Sequence, residues 1–156
     1  MRFLEFEGEW GKYRLDDYSI IGDGTHQTPN YKENGVKFAS VENIKNPYTT
    51  DKFISTNDYK KYKIKPQLGD ILMARITASI IGDTYVIYRT EELAYYVSLA
   101  LIRPNELIDF KYLAYYINST YFKYGLDKRI IKVAFPKKIN LNDIGECKIS
   151  IINIEE

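Results

Sequence analysis

The chain has 156 residues, 45% hydrophobic and 28% charged, and its 22 basic and 21 acidic residues leave a formal net charge of +1. That length suits a single domain able to bury roughly two-thirds of its unfolded surface without covalent staples, and the composition excludes a disordered chain. Cys147 is alone, which excludes an intrachain disulfide and a thiolate metal cluster.

Nothing in Met1-Arg2-Phe3-Leu4-Glu5-Phe6-Glu7 has the pattern of a signal peptide, and no apolar run approaches membrane-spanning length. A soluble, cytoplasmic protein without a membrane partner is expected. The near-neutral total leaves nucleic acid open, because binding depends on where charges sit.

In chain order, Glu5, Glu7 and Glu9 precede Trp10, Lys12 and Arg14, and Phe3, Phe6 and Trp10 are placed to pack a short lead-in against the body. The ten residues from Gly22 to Tyr31 hold two glycines, two threonines, an Asp and a Pro, the composition of a loop of defined shape. Its His26 has no partner at metal-ligand spacing and reads as a structural hydrogen bonder. Val36, Phe38 and their neighbours alternate as a half-buried strand. Asn46-Pro47-Tyr48 reads as a turn, since it lacks the second proline of an adenine-methyltransferase loop. Ser55 or Thr56 caps a short basic helix with Asp58 in its first turn.

Pro66 and Gly69-Asp70 open a hairpin. Ile71 to Ile76 and Thr84 to Tyr88 read as its strands, and a small-residue loop closed by Gly82-Asp83 joins them, with Arg75 at its root. Tyr95 to Pro104 is nearly continuous in apolar residues and reads as one strand in the middle of a sheet, stopped by the proline. From Asp109 the period changes: Phe110, Leu113, Ala114, Ile117 and Tyr121 mark an amphipathic helix capped by Asp109, with Asn118-Ser119 dividing it and Ser119 capping a second. Residues 123–138 then carry Lys123, Lys128, Arg129, Lys132, Lys137 and Lys138 against Asp127 alone, interleaved with Tyr124 and Phe135. A concentrated patch of that kind is the footprint of phosphate binding. Cys147 to Ile154 reads as a terminal strand, followed by an acidic Glu155-Glu156.

Catalytic groups do not converge anywhere. There is no nucleophile elbow, no phosphate-cradling Gly-rich loop with lysine, and no methyl-donor loop. Asp70 with Asp83 is the one pair that a metal nuclease could use, yet both sit at turns that favour Asp for its own backbone bonding. No catalytic residue, metal ligand or cofactor is assigned.

Together these segments resemble the target recognition domain of a type I restriction-modification specificity (S) subunit. The resemblance rests on Phe3-Leu4-Glu5-Phe6-Glu7-Gly8-Glu9-Trp10, on Gly24-Thr25-His26-Gln27-Thr28-Pro29, on Lys37-Phe38-Ala39-Ser40-Val41-Glu42-Asn43-Ile44, and on Gly69-Asp70-Ile71-Leu72 with Arg75 and Ile81-Gly82. Ser98-Leu99-Ala100-Leu101-Ile102-Arg103-Pro104, Leu113-Ala114-Tyr115-Tyr116-Ile117-Asn118-Ser119 and Ile139-Asn140-Leu141-Asn142-Asp143-Ile144 complete it. Each is weak alone; their order and spacing make them specific. Two departures stand out. The long spacer helices are absent, so a half subunit, a single domain or a truncated product is expected. Residues 132–138, Lys-Val-Ala-Phe-Pro-Lys-Lys, replace the small Gly/Ser and Gln turn of the family.

The resemblance implies a non-enzymatic reader of one half of a bipartite site in double-stranded DNA, whose partners are methyltransferase (modification) subunits and, further, restriction subunits. Self-association stays open. The expected fold is α+β: a twisted, mostly antiparallel sheet with a helical pair packed on it and long presenting loops, all in one domain over 1–156. Base readout is expected from Arg75, Thr77 and Ser79 and from Thr25, His26, Gln27 and Tyr31. Phosphate contacts are expected from Lys128, Arg129, Lys132, Lys137 and Lys138. The alternative from the same residues is a truncated interaction module that binds or competes for methyltransferase subunits.

Overall fold

The computed structural model describes residues 9–153; the expected packing of Phe3 and Phe6, the lead-in up to Gly8 and the acidic tail at Glu155-Glu156 lie outside them. Strand β1 (Glu9–Arg14) passes through a 3-10 turn (Leu15–Asp17) into β2 (Ser19–Asp23), and β3 (Val36–Ala39) follows the first loop. Two further 3-10 turns (Val41–Asn43, Pro47–Thr49) lead to β4 (Phe53–Ile54) and the short helix α1 (Thr56–Lys60). Then come β5 (Ile71–Ala74), β6 (Ile76–Thr77), β7 (Thr84–Val86), β8 (Leu93–Tyr95) and β9 (Leu99–Pro104). Helices α2 (Phe110–Ile117) and α3 (Thr120–Asp127), strand β10 (Lys137–Lys138), helix α4 (Leu141–Glu146) and strand β11 (Lys148–Asn153) complete the chain.

A four-stranded antiparallel sheet, ordered β2-β9-β5-β7, forms the centre. Alternation along its two inner strands feeds two separate cores. Ile71, Met73, Ala100 and Ile102 face α2, α3 and α4, where they meet Leu113, Ile117, Phe122, Leu126 and Ile144. Leu72, Ala74, Leu99 and Leu101 face the opposite layer, where they meet Ala39, Tyr48, Leu93 and Tyr95. That layer contains a three-stranded sheet, β4-β3-β8, in which β3 and β8 run parallel. With both faces covered, β5 and the start of β9 need no polar side, which is why they read as unbroken apolar runs. The fold is α+β with mostly antiparallel sheets, as expected.

The helical pair forms as its caps dictate. The Asp109 carboxylate accepts from the backbone N–H groups of Lys111 and Tyr112 at 2.9 and 3.0 Å, and the Ser119 hydroxyl accepts from Phe122 N–H at 3.2 Å. Ser55 caps α1 the same way through Asp58 N–H. Strands β1 and β11 pair antiparallel from Glu9↔Asn153 to Arg14↔Lys148, and this ribbon is tied to α2 by the Tyr112 hydroxyl, which donates to the Ser150 carbonyl.

Strand β7 ends at Val86 rather than Tyr88, Gly22 and Asp23 belong to β2 rather than to the loop, and two further boundaries reroute the chain. The run from Tyr95 to Pro104 is not one strand: a turn at 96–98 sends β8 into the three-stranded sheet and β9 into the central one. Its apolar composition is continuous because both pieces are buried, and hydrophobicity carries no mark of the turn. The hairpin strand from Ile71 ends at Ala74 rather than Ile76. Arg75 carries the chain out of the central sheet, and β6 pairs instead with β10, Thr77 opposite Lys137 and Ile76 opposite Lys138.

Candidate nucleic-acid interface

Strand β2 ends at Asp23, and the loop that follows is stitched to the 96–98 turn. Thr25 N–H donates to the Tyr95 carbonyl at 3.2 Å, and Val97 N–H donates to the Thr25 carbonyl at 2.9 Å. The approach is so close that a Cβ on Gly24 would lie 2.0 Å from the Tyr95 oxygen, so only glycine fits. The Thr25 hydroxyl turns inward on the loop, bonded to the Gln27 carbonyl at 3.3 Å and to Gln27 N–H at 3.4 Å. His26 and Gln27 project into solvent, while Tyr31 stacks edge-on against Phe38 with Lys52 over its ring.

Asp23 is the junction of this region. One carboxylate oxygen, Oδ2, lies 2.9 Å from His26 Nε2 and 3.8 Å from Arg75 Nη1. Arg75 is only 8% exposed and donates from Nη1 to the Val97 carbonyl at 2.8 Å. Burial lowers its pKa, and the neighbouring Asp23 opposes that shift. Its Nε has no hydrogen-bond partner among the described residues. The expectation that Arg75 stands at a loop root holds, but its guanidinium lies within the wall, joining β2, the end of β5 and the 96–98 turn, and is not presented to solvent.

The 75–83 loop is held at both sides. Gly82 takes a φ of +100°, a conformation that glycine adopts without strain, and its N–H returns to the Ala74 carbonyl at 2.9 Å. Lys123 reaches across from α3 to donate to the Gly82 carbonyl. Burial lowers the Lys123 pKa, with Asp83 opposing, and this removes Lys123 from the solvent-facing basic set. The Thr77 hydroxyl is buried and accepts from Ser79 N–H at 3.0 Å, so it shapes the loop. Ser79 and Ile80 form the exposed tip, beside a cleft of about 420 Å³ whose other wall comes from residues 41–46 and Thr49.

The basic segment joins this loop through β6 and β10. Ile139 N–H also donates to the Arg75 carbonyl at 2.9 Å, so the strand of Lys137 and Lys138 is fixed to the base of the loop that carries Ser79. Lys128 lies 4.2 Å from the Tyr124 ring centroid, Arg129 donates to the Gly125 carbonyl at 3.3 Å, and Lys132 pairs with Asp127 at 2.8 Å. Lys128, Lys132 and Lys138 are exposed; Arg129 and Lys137 are half-buried.

The candidates therefore separate by position. His26, Gln27, Ser79, Lys128, Lys132 and Lys138 face solvent, whereas Thr25, Arg75 and Thr77 set the shape of the loops. Asp23 as the junction and Ile80 at the tip are not among the residues expected from sequence. Lys61 and Lys63, at and just after the end of the short basic helix, line a cleft of about 540 Å³ against the His26 loop together with Asp58 and Tyr62. A signal was present for Asp23, which stands next to the Gly-Thr-His run, but its second partner is remote in sequence. Asp70, half of the nuclease pair, is 1% exposed and both of its oxygens accept from Arg103, so it is committed to a structural ion pair.

No family model matches this sequence, and no curated protein does. Solved structures do match. A chain from a type I R-M system, solved for its complex assembly and conformational transition, superposes with a TM-score of 0.68 at 20% identity, covering 91% of this chain and 34% of that one. The HsdS subunit from Thermoanaerobacter tengcongensis gives 0.65 at 20% identity, covering 94% and 34%. The S subunit of the type I restriction-modification system from M. genitalium gives 0.62 at 13% identity, covering 97% and 36%. The chain spans about a third of the length of each of these relatives. Its α+β fold is that of the target recognition domain of a type I specificity subunit.

Proposed function

We propose that this chain binds duplex DNA sequence-specifically, as the half-site recognition module of a type I restriction-modification system, with catalysis supplied by other subunits in the cytoplasm. The observation that carries the reading is the β6–β10 pairing. It fixes a lysine-bearing strand to the base of a loop whose tip, Ser79-Ile80, is exposed. Phosphate contacts set register and orientation while loop side chains read base edges, and here both kinds of group share one rigid junction. In this reading Lys128, Lys132 and Lys138 hold phosphates, with Arg129 and Lys137 beside them, and Ser79, His26, Gln27 and Tyr31 reach the grooves. Arg75, Thr25 and Thr77 act as positioning residues.

The fold likeness to HsdS supports the assignment to such a system, and methyltransferase subunits are the partners that it implies. Selection from a randomised duplex pool tests the reading, with this chain alone and again with a methyltransferase subunit from the same source. Enrichment of one short motif in either arm is the expected result. No enrichment in either arm would overturn it.

A further inference from the structure

The 132–138 loop carries the most exposed apolar side chains of the described residues. Val133 is 99% and Phe135 90% exposed, although the loop that bears them is firmly held. Ile131 and Lys138 exchange backbone hydrogen bonds at 2.8 and 3.4 Å, closing the loop at its neck. The strand leaving it is paired with β6 and anchored through Ile139 N–H on the Arg75 carbonyl. Lys132, Lys137 and Lys138 stand in the loop itself, with Arg129 just before the neck. The nearby acid is Asp127, paired with Lys132 in an exposed ion pair that surface screening makes weak and exchangeable.

Two apolar side chains held out in water and flanked along the loop by Lys132, Lys137 and Lys138 fit a partner with anionic rails on either side of an apolar slot. Duplex DNA has that layout, with phosphates flanking a base stack, and apolar wedges such as Phe are inserted between base steps by proteins that kink DNA. A protein partner would have to bring acidic side chains opposite these cations, whereas duplex DNA carries its phosphates at every step. We propose that Phe135, backed by Val133, is a wedge that enters the base stack while Lys132, Lys137 and Lys138 grip the flanking phosphates. This rests on the DNA-binding reading above and adds to it a deformation of the site. Specificity would then include base steps that unstack cheaply.

The test uses the whole chain, with the methyltransferase subunit where selection required it, and a duplex carrying the selected motif, with 2-aminopurine substituted in turn at each step. The parent protein is expected to raise the probe's fluorescence several-fold at one step. Phe135→Ala, on a nearly fully exposed side chain, should keep the parental unfolding midpoint, abolish that rise and weaken binding by about tenfold. Lys138→Ala serves as the reference: it should weaken binding and flatten the salt dependence while the rise survives at saturation. Parental affinity and a parental rise in Phe135→Ala would overturn the wedge and leave the recognition reading standing. A parental DNA response together with lost binding to phosphatidylserine vesicles would also overturn it, by making the tip a membrane contact. If the parent binds no duplex either alone or with the methyltransferase subunit, the recognition reading falls first and the wedge falls with it.

Discussion

Asp70 and Arg103 form a bidentate ion pair, with Nε to Oδ1 at 2.9 Å and Nη2 to Oδ2 at 2.7 Å, at the start of the central hairpin. The carboxylate also accepts from Gln67 N–H at 2.8 Å, and Arg103 Nη2 donates to the Lys65 carbonyl at 2.7 Å. The pair locks the turn that begins β5 against β9, and hydrogen bonding to Asp70 raises the Arg103 pKa.

Breaking this pair from one side should be costly, because the remaining charge is left without its partner. Arg103→Ala strands a carboxylate that is almost fully buried, so a loss of about 3 to 5 kcal/mol is expected. Urea unfolding of the single and double mutants gives the coupling energy. A loss below about 1 kcal/mol, the range of a screened surface pair, would contradict this account.

Arg75→Ala should act on loop shape as well as on DNA. It removes the donor to the Val97 carbonyl and the guanidinium beside Asp23, at an expected cost of about 1 to 3 kcal/mol. Hydrogen exchange should quicken at Thr25 and Val97, whose N–H groups sit in the same stitch. If stability and exchange stay parental while the preference at one base pair relaxes, Arg75 is a direct reader rather than a positioning residue.

Lys138→Ala and Ser79→Ala should separate grip from readout. The lysine change is expected to weaken all duplexes alike and to lower the salt slope by about one. Ser79→Ala should leave the slope unchanged and alter the preference at one position. Binding isotherms at several salt concentrations, on the selected motif and on a scrambled duplex, make the comparison.

Alkaline stability draws on several acids whose pKa burial raises, Tyr62 and Tyr95 among them, and two show the window. Burial pushes the Cys147 thiol up to about 11 from 9.0, and the Tyr48 phenol up to about 12 from 10.0. Both are neutral in the native state, and each ionises at lower pH once the chain unfolds. Their contribution is therefore complete below about pH 9 and is lost as pH rises through 9 to 11 for the thiol and through 10 to 12 for the phenol. Unfolding midpoints should fall across that window and less steeply in Cys147→Ala. Iodoacetamide should label native Cys147 slowly at pH 8, because little thiolate forms there.

Much of this architecture was legible locally. The caps at Ser55, Asp109 and Ser119, the division at Asn118-Ser119 and the defined shape of the 24–31 loop all depend on side chains acting within a few residues of themselves. Helix α4 was less legible: Leu141–Glu146 is six residues long, too short for a periodic stripe to stand out, and the Asn140 side chain makes no capping hydrogen bond. The two boundaries that reroute the chain, at Arg75 and at 96–98, have no local signature. Each is set by which distant backbone arrives to pair, and the apolar content is the same on either side of the break.

The division in the candidate interface has the same cause. Composition alone marks which loops carry small and polar residues and where positive charge concentrates, because it is a local property. Packing across the fold is what buries Arg75 on Asp23 and Val97, turns Lys123 to clamp Gly82, and lays the strand of Lys137 and Lys138 against that of Ile76 and Thr77. These contacts span many residues of chain, and burial is a property of what packs around a side chain. A charge that reads as a surface group from its neighbours in sequence becomes a structural one when the neighbours in space remove its water.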